Sequence, residues 1–270
     1  MRRCSVFDSE KLFDQCVRAA GGQRVQEIVG SSPNFDNADY LFQSNNVVAE
    51  FKSLQKDFLT APDVQMKMHQ MFNRWVDDGQ IAPQYGEAII RTDQLPIDCA
   101  RQLIAVFKDP LEQPLKKANK QISKTKQHLP CLDAVGLLIL SNDGNYALDP
   151  EMTAHVLYHS LKEKYSSIEH VLLVSANVVT NIPGIAAESF PFISIGIPKR
   201  RKLPEAFLSK LGSCWIDILR TATGRNLSAF SRLLPAQRAD VQAMRFIQLN
   251  DRVLYSRRAE RHGSSRHLRV

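Results

Sequence analysis

The sequence predicts an α/β fold in which a mixed β-sheet with a central hairpin is flanked by helices. Two apolar runs, residues 134–141 and 170–176, have the length and composition of buried strands. Between them, Asp149 and Pro150 are the N-cap and first residue of a predicted helix. A strand, a helix and a second apolar strand in this order favour a parallel pair with a crossover helix. Residues 37–54 alternate around a short turn, which is typical of a hairpin.

The remaining elements follow from apolar spacing and turn residues. Residues 9–20 are predicted to form a helix that two glycines end, and a second helical piece follows to Val29. Residues 190–197 are a further strand candidate. Asp109-Pro110 is expected to break a helical stretch in two, because proline disfavours a helix interior. The other predicted helices cover 63–78, 96–108, 111–129, 204–221 and 240–250.

Composition restricts the class of protein. The 270 residues are 44% hydrophobic, which suffices for a substantial core. No apolar run reaches the roughly 20 residues that span a bilayer, and the N-terminus lacks the apolar segment of a secretory signal. The five cysteines are scattered without a CxxC pair, so we expect reduced thiols and neither a zinc site nor a disulfide framework. These features predict a cytoplasmic protein with no membrane partner.

Basic residues are concentrated in three segments of a chain whose net charge is +7. Residues 115–126 carry five lysines and no acid, 199–202 form a dense cluster, and 257–270 hold five arginines against one glutamate. An anionic partner would bind such patches. Solvated surface has the same composition, and both interpretations stay open for each segment.

The predicted hairpin carries charged residues in segments that are otherwise apolar. With Ser44-Asn45 as a two-residue turn, Asp39 lies opposite Glu50, and Lys52 points to the same face. Directly opposed carboxylates destabilise a strand pair. A divalent cation bound by oxygen atoms would offset their repulsion, with help from a nearby ammonium. The alternative is an inert site in which Asp39 forms a structural ion pair with Lys52 or an arginine and Glu50 lies at a solvated edge.

The spacing of these residues resembles that of a known enzyme family. Asp39, Glu50 and Lys52 give the pattern D-(x)10-E-x-K across a hairpin. The hairpin follows an N-terminal helix and precedes a helix–strand–helix–strand order. Over residues 9–176 this arrangement resembles the PD-(D/E)xK nuclease superfamily, also called restriction-endonuclease-like. Ala38 stands where the motif is named for a proline, which members of that superfamily often lack.

The resemblance implies a restriction-endonuclease-like core and a metal site. Mg²⁺ or Mn²⁺ would be the cofactor, with Asp39, Glu50 and the backbone carbonyl of Phe51 as its protein ligands. Lys52 would position or help to deprotonate the attacking water and would stabilise charge on the phosphate. The implied chemistry is the hydrolysis of a phosphodiester bond.

Further catalytic and binding residues are implied on two helices. Members often add a glutamate from the first helix; Glu27 is the candidate here and Glu10 the alternative. The helix after the hairpin would supply Gln121 at the rim of the catalytic site. Lysines of that helix would meet nucleic-acid phosphates as point charges, and the candidates are Lys117, Lys120 and Lys124. A solvated polar face accounts equally well for these lysines.

The implied function is metal-dependent phosphodiester hydrolysis of nucleic acid, with DNA expected over RNA. A catalytically inactive module on the same fold, which binds nucleic acid or protein, is the alternative. The expected domains are a nuclease-like core over 1–200, a C-terminal helical extension packed on it over 201–256, and a basic, disordered tail over 257–270. The oligomeric state is open, and a homodimer is compatible with the sequence.

Overall fold

The computed structural model describes residues 2–3, 7–30, 33–82, 89–90, 95–145, 150–179, 190–197, 199–225, 227, 232–233 and 247–248. Its helices are α1 (Ser9–Ala20), α2 (Val25–Val29), α3 (Pro62–Asp77), α4 (Ile97–His128), α5 (Pro150–Glu163) and α6 (Glu205–Thr223). Its strands are β1 (Arg2–Arg3), β2 (Gln23–Arg24), β3 (Tyr40–Phe42), β4 (Val47–Leu54), β5 (Ile89–Ile90), β6 (Val135–Asn142), β7 (His170–Val174), β8 (Val178–Val179), β9 (Phe192–Gly196), β10 (Arg232–Leu233) and β11 (Ile247–Gln248). Within these ranges, no helix has both the length and the apolar character that crossing a membrane requires.

Seven strands form one mixed sheet in the order β10-β9-β7-β6-β4-β3-β2. Strands β4, β6 and β7 are parallel neighbours, whereas β3 is antiparallel to β4 and β9 is antiparallel to β7. Helix α5 connects β6 to β7, so the predicted parallel pair with its crossover helix is confirmed. The predicted α/β class, with a mixed sheet, a hairpin and flanking helices, is confirmed at this level.

Helices α1 and α6 cover one face of the sheet. Alternate side chains of the central strands point to this face, as the two-residue period of a strand requires. The Phe13 ring of α1 lies 5.6 Å from the Phe51 ring of β4 and 5.3 Å from the Trp215 ring of α6, measured between ring centroids. Burial of an aromatic ring stabilises the fold by about 2–3 kcal/mol. This cluster therefore holds α1 firmly against the strand that carries Glu50.

The second part of α4 packs on the opposite face of the sheet. Buried side chains recur every three or four residues along it, at Leu111, Leu115, Ala118, Ile122 and Thr125, with Lys126 buried beside the last of them. A Cβ added to Gly136 of β6 would lie 1.8 Å from the Ser167 carbonyl oxygen and 3.0 Å from the Ile122 side chain. Only glycine fits at this position, because the Ser167 backbone before β7 lies against the strand and Ile122 of the helix lies close to it.

Helix α4 is continuous, so the predicted break at Pro110 is wrong. Pro110 and Pro114 both lie inside the helix, although each removes an intrahelical hydrogen bond at a cost of about 3 kcal/mol. The buried stripe passes the prolines without a change of spacing, through Phe107, Leu111 and Leu115. Burying each of these side chains contributes about 1.5–3 kcal/mol, which offsets the lost hydrogen bonds and favours one helix.

The chain divides into two compact units. The first comprises Met1–Lys56 and Lys108–Ala239, and the second comprises Asp57–Phe107 and Asp240–Val270. All seven strands of the large sheet belong to the first unit. The second unit contains α3, which is bound to the first part of α4 by a hydrogen bond of 3.1 Å from Trp75 Nε1 to Gln102 Oε1.

Two predictions concern the C-terminal part of the chain. Helix α6, assigned from the sequence to a C-terminal extension, packs against α1 inside the first unit. Of the predicted helix over 240–250, the structure describes only Ile247–Gln248, which form a strand paired with Ile89–Ile90. A helix is therefore wrong for those two residues. The predicted tail over 257–270 lies outside the described residues.

Candidate active site

The hairpin of β3 and β4 has the predicted register and a different turn. Tyr40 pairs with Ala49, and Phe42 pairs with Val47. Extending this register by one residue places Asp39 opposite Glu50. The predicted two-residue turn is wrong, because a single 3₁₀ turn over Gln43–Asn45 and a left-handed Asn46, with φ of 52°, connect the strands. Lengthening the loop by one residue on each strand leaves the register unchanged. Asparagine tolerates the left-handed conformation better than most residues do.

The two carboxylates and the lysine come together as the register predicted. The Asp39 backbone N–H donates a hydrogen bond of 3.1 Å to Glu50 Oε2. Asp39 Oδ2 accepts a hydrogen bond of 2.8 Å from the Phe51 backbone N–H. Lys52 Nζ forms an ion pair with Glu50 Oε1. The charged residues of the motif therefore occupy one site at the end of the hairpin.

Burial makes this pair of carboxylates electrostatically unfavourable when both are ionised. The Glu50 side chain is completely buried, whereas 23% of the Lys52 side chain is exposed. Burial first, and the negative charge of Asp39 second, raise the pKa of Glu50 to about 8, although Lys52 acts in the opposite direction. Burial also raises the pKa of Asp39, against the Phe51 N–H and the Lys52 charge. Two parts of the alternative are wrong, because Glu50 does not lie at a solvated edge and Lys52 forms its ion pair with Glu50 and not with Asp39.

Helix α4 holds the segment that leads into Asp39. The Ala38 N–H donates a hydrogen bond of 2.7 Å to Thr125 Oγ1, and both residues are fully buried. One turn earlier, Gln121 Nε2 donates to the Asn37 carbonyl oxygen at 3.0 Å. Gln121 thus lies beside the candidate site, as predicted, and its amide binds the backbone two residues before Asp39. The helix fixes the position of Asp39 through these two contacts.

We expect Thr125→Val to destabilise the protein by about 1–3 kcal/mol. Valine has nearly the same shape as threonine but cannot accept the hydrogen bond from the Ala38 N–H, which would remain buried and unsatisfied. Urea unfolding of the parent, Thr125→Val and Thr125→Ser measures the effect. Serine retains the hydroxyl and should recover most of the loss. Equal stability of the valine variant and the parent would show that this contact does not hold the segment.

The predicted third carboxylate, Glu27, is not part of this site. It forms an exposed ion pair with Arg18, and within the described parts of the chain no hydrogen bond or ion pair joins it to Asp39, Glu50 or Lys52. For Glu10 of α1, the alternative, burial first and the negative charge of Asp39 second raise the pKa. Glu10 lies on the same helix as Asp14, which contacts the hairpin by accepting a hydrogen bond from the Tyr40 hydroxyl.

A second cluster beside the hairpin was missed from the sequence. Arg24 Nε donates to Asp14 Oδ1 at 2.9 Å, and the Tyr40 hydroxyl donates to the same oxygen at 2.8 Å. Arg24 also lies 3.9 Å from Glu10. Arg24 and Tyr40 are cross-strand partners. If residues 23–24 had been predicted as a strand, Arg24 would have been placed opposite Tyr40. Residues 23–24 were instead included in a predicted helical piece.

The 199–202 basic cluster is partly structural. Arg200 donates hydrogen bonds to carbonyl oxygens at and after the end of α5, including Leu161 at 2.6 Å. Arg201 donates from Nε to Glu169 Oε1 at 2.6 Å. Glu169 is also held by the buried Lys126 at 2.9 Å. Two of the four cations in this cluster therefore stabilise the fold, and Lys126 is not available for an external partner.

The donor set of the hairpin fits a magnesium ion. No group of three or more His, Cys, Asp or Glu side chains converges as a metal site in the described part of the chain. Magnesium is commonly bound by only one or two carboxylates and retains several waters, and Asp39 and Glu50 provide that number of hard oxygen donors. The raised pKa values of both groups show that their ionised forms are destabilised without a cation, and a bound divalent ion would stabilise those forms.

Comparisons with known proteins add no further constraint on this site. No protein-family model, no curated protein and no solved structure matches the chain. Proposals about its function therefore depend on the residues and their geometry.

Proposed function

We propose that the protein hydrolyses phosphodiester bonds of nucleic acid with the help of Mg²⁺ or Mn²⁺. The observation that carries the proposal is the buried pair of Asp39 and Glu50, with Lys52 Nζ beside Glu50, at the end of one hairpin. Buried acids with strongly shifted pKa values are uncommon outside functional sites. The order α1, hairpin, α4, β6, α5, β7 is also the order on which the resemblance to the PD-(D/E)xK superfamily rests.

Each residue has a defined part in this proposal. Asp39, Glu50 and the Phe51 carbonyl would hold the ion, which when bound acts as a Lewis acid on the phosphate and acidifies water. The partly exposed ammonium of Lys52 can bind the attacking water or an oxygen of the phosphate and so stabilise developing negative charge. Glu10 would be the third carboxylate and would orient a water, since the negative charge of Asp39 acts on its pKa. Thr125 and Gln121 act indirectly, because they position the backbone before Asp39.

An inactive nucleic-acid-binding module is the second candidate function. It is favoured by the ion pair between Lys52 and Glu50, since an ammonium can replace a cation as the partner of a buried carboxylate. It is also favoured by the lack of a third converging metal ligand among the described residues. In this case the hairpin charges would stabilise the fold without taking part in chemistry.

A cleavage assay on a mixture of DNA and RNA substrates separates the two functions. We expect the purified full chain to degrade nucleic acid with Mg²⁺ or Mn²⁺ and to stop when EDTA is added. DNA is expected to be the better substrate. A filter-binding measurement on the same substrates provides the comparison. Binding without cleavage at any divalent-ion concentration would favour the inactive module and contradict the nuclease proposal.

A further inference from the structure

Two lysines of α4 converge on a single carboxylate oxygen close to the candidate active site. Lys120 Nζ lies 2.6 Å from Asp36 Oδ2, and Lys124 Nζ lies 3.4 Å from the same atom. These lysines are four residues apart on one helix, a spacing at which like charges repel and destabilise the helix. An anion between the ammonium groups removes that repulsion. In the free protein Asp36 provides it.

The Asp36 carboxylate is weakly held at this position. The side chain is 54% exposed, and the two lysines are its only partners within the described parts of the chain. Ion pairs that are exposed to this extent contribute little to stability, because water and salt screen them. Hydrogen bonds from Lys120 and then Lys124 lower the pKa of Asp36, so it stays ionised at neutral pH. A polyanion, whose other charges are attracted by the same basic helix, can therefore displace it.

The pair of lysines lies within a few nucleotides of the metal ligands. Asp36 precedes Asp39 by three residues, and a chain of that length spans at most about 11 Å. The residues between them are held against α4 by Gln121 and Thr125. A nucleic-acid strand advances about 3.4 Å per nucleotide along its axis, so this span corresponds to roughly three nucleotides. A strand with a phosphodiester at Asp39 would place a neighbouring phosphate near the lysines.

We propose that Lys120 and Lys124 form a binding site for a backbone phosphate of the nucleic-acid strand, and that Asp36 occupies this site in the free protein until the phosphate displaces it. The inference rests on the proposed function, because it assumes that the strand also passes Asp39 and Glu50. A phosphodiester carries one negative charge on two unshared oxygens, so it can accept hydrogen bonds from both ammonium groups. The site recognises no base, and the contact is independent of sequence.

Binding of a fluorescein-labelled oligonucleotide to the full chain, without divalent ions, tests the inference. Asp36→Asn removes the competing charge and keeps the size of the side chain. We expect it to bind DNA and RNA oligonucleotides about three- to fivefold more tightly than the parent at low salt. Asp217→Asn is the matched control, because it removes the same charge from an exposed ion pair with Arg220 on α6. Its affinity should equal that of the parent.

A variant without the two lysines separates a local site from a general charge effect. In a Lys120→Gln, Lys124→Gln background we expect weaker binding. The slope of log K against the logarithm of the salt concentration should become less negative by about one to two. Asp36→Asn should then have no further effect. The inference is overturned if Asp36→Asn binds no better than Asp217→Asn, or if it improves binding equally in the background without the lysines.

The outcome is independent of the cleavage assay. Tighter binding by Asp36→Asn without cleavage by any form of the protein would support the phosphate site and contradict hydrolysis. Cleavage by the parent with unchanged binding by Asp36→Asn would support hydrolysis and overturn the role of Asp36. The two proposals can therefore fail separately.

Discussion

Asp39→Asn, Glu50→Gln and Lys52→Ala are each expected to lower divalent-ion-dependent cleavage by about a thousandfold or more. In the proposed mechanism each replacement removes one of three groups that act together on the same phosphate and water. The Asn and Gln variants keep the shape of the buried side chains, so the hairpin should form in both. Initial cleavage rates, with circular dichroism spectra of each variant, measure the effect and verify the fold.

The position of Glu27 provides the matched control for these variants. It is a carboxylate of the same N-terminal region, but it pairs with Arg18 at the surface, and among the described residues no hydrogen bond or ion pair connects it to the hairpin charges. Glu27→Gln should therefore retain the cleavage rate of the parent within about twofold. If Asp39→Asn or Glu50→Gln were as active as Glu27→Gln, the buried pair would not be the catalytic site. Double variants of the hairpin should lose little more than the single ones, because the residues act as one unit.

The sequence predicted the hairpin well because a strand has a period of two. Once a turn between residues 43 and 46 is recognised, Asp39 must lie opposite Glu50, whether the loop contains two or four residues. The same period places Lys52 with Glu50. The parallel pair of β6 and β7 was predictable for a related reason, since strands buried on both faces are continuously apolar.

Elements that depend on tertiary packing were not predictable in the same way. The break expected at Pro110 follows from the cost of proline in a helix, but the buried stripe on both sides of it decides the outcome. The pairing of Arg24 with Asp14 depends on a two-residue strand that has no periodic signal. Charge runs are equally ambiguous. Arg200 and Arg201 are held by backbone and carboxylate oxygens that come together only in the fold.

The choice of a third carboxylate could not be made from the sequence. Glu27 and Glu10 are both in the N-terminal helical region, and their sequence positions do not distinguish them. Glu27 lies on the separate helix α2 and pairs with Arg18 at the surface, while Glu10 lies on α1, where the charge of Asp39 acts on its pKa. Gly21 and Gly22 end α1, so Glu27 lies on a different helix from Glu10, and its assignment to the candidate site was wrong.

Metal-free protein is expected to lose stability as the pH rises from about 5 to 8. The pKa of Glu50 is raised from its ordinary value of 4.5 to about 8 in the folded protein, chiefly by burial. Between these values the folded state holds a proton that the unfolded state has released, so unfolding is favoured as the pH increases. This shift, in which the lowering effect of Lys52 is already included, corresponds to a few kcal/mol of stability lost between the two pKa values. Thermal unfolding at pH 6 and pH 8, in the presence of EDTA, measures this loss.

Glu50→Gln should remove most of this pH dependence, and Asp39→Asn should be as stable as the parent or slightly more so at pH 8. Both replacements relieve the repulsion between the two buried carboxylates, and asparagine still accepts the hydrogen bond from the Phe51 N–H. The comparison uses the same thermal unfolding measurements. If the carboxylates served only in structural ion pairs, both variants would be less stable than the parent, because each would lose a favourable interaction.

Magnesium should reverse the loss of stability in the parent and have little effect on either variant. A ligand at a hundred times its dissociation constant stabilises the folded state by about 2.7 kcal/mol. The stabilisation should be larger at pH 8 than at pH 6, because the ion binds to ionised carboxylates and must displace the proton of Glu50 at the lower pH. Calcium offers a control that binds oxygen ligands without depending on turnover. If neither ion shifted the unfolding temperature of the parent at pH 8, while Asp39→Asn proved less stable than the parent, Asp39 and Glu50 would be part of a structural charge network, and the hairpin would not be a metal site.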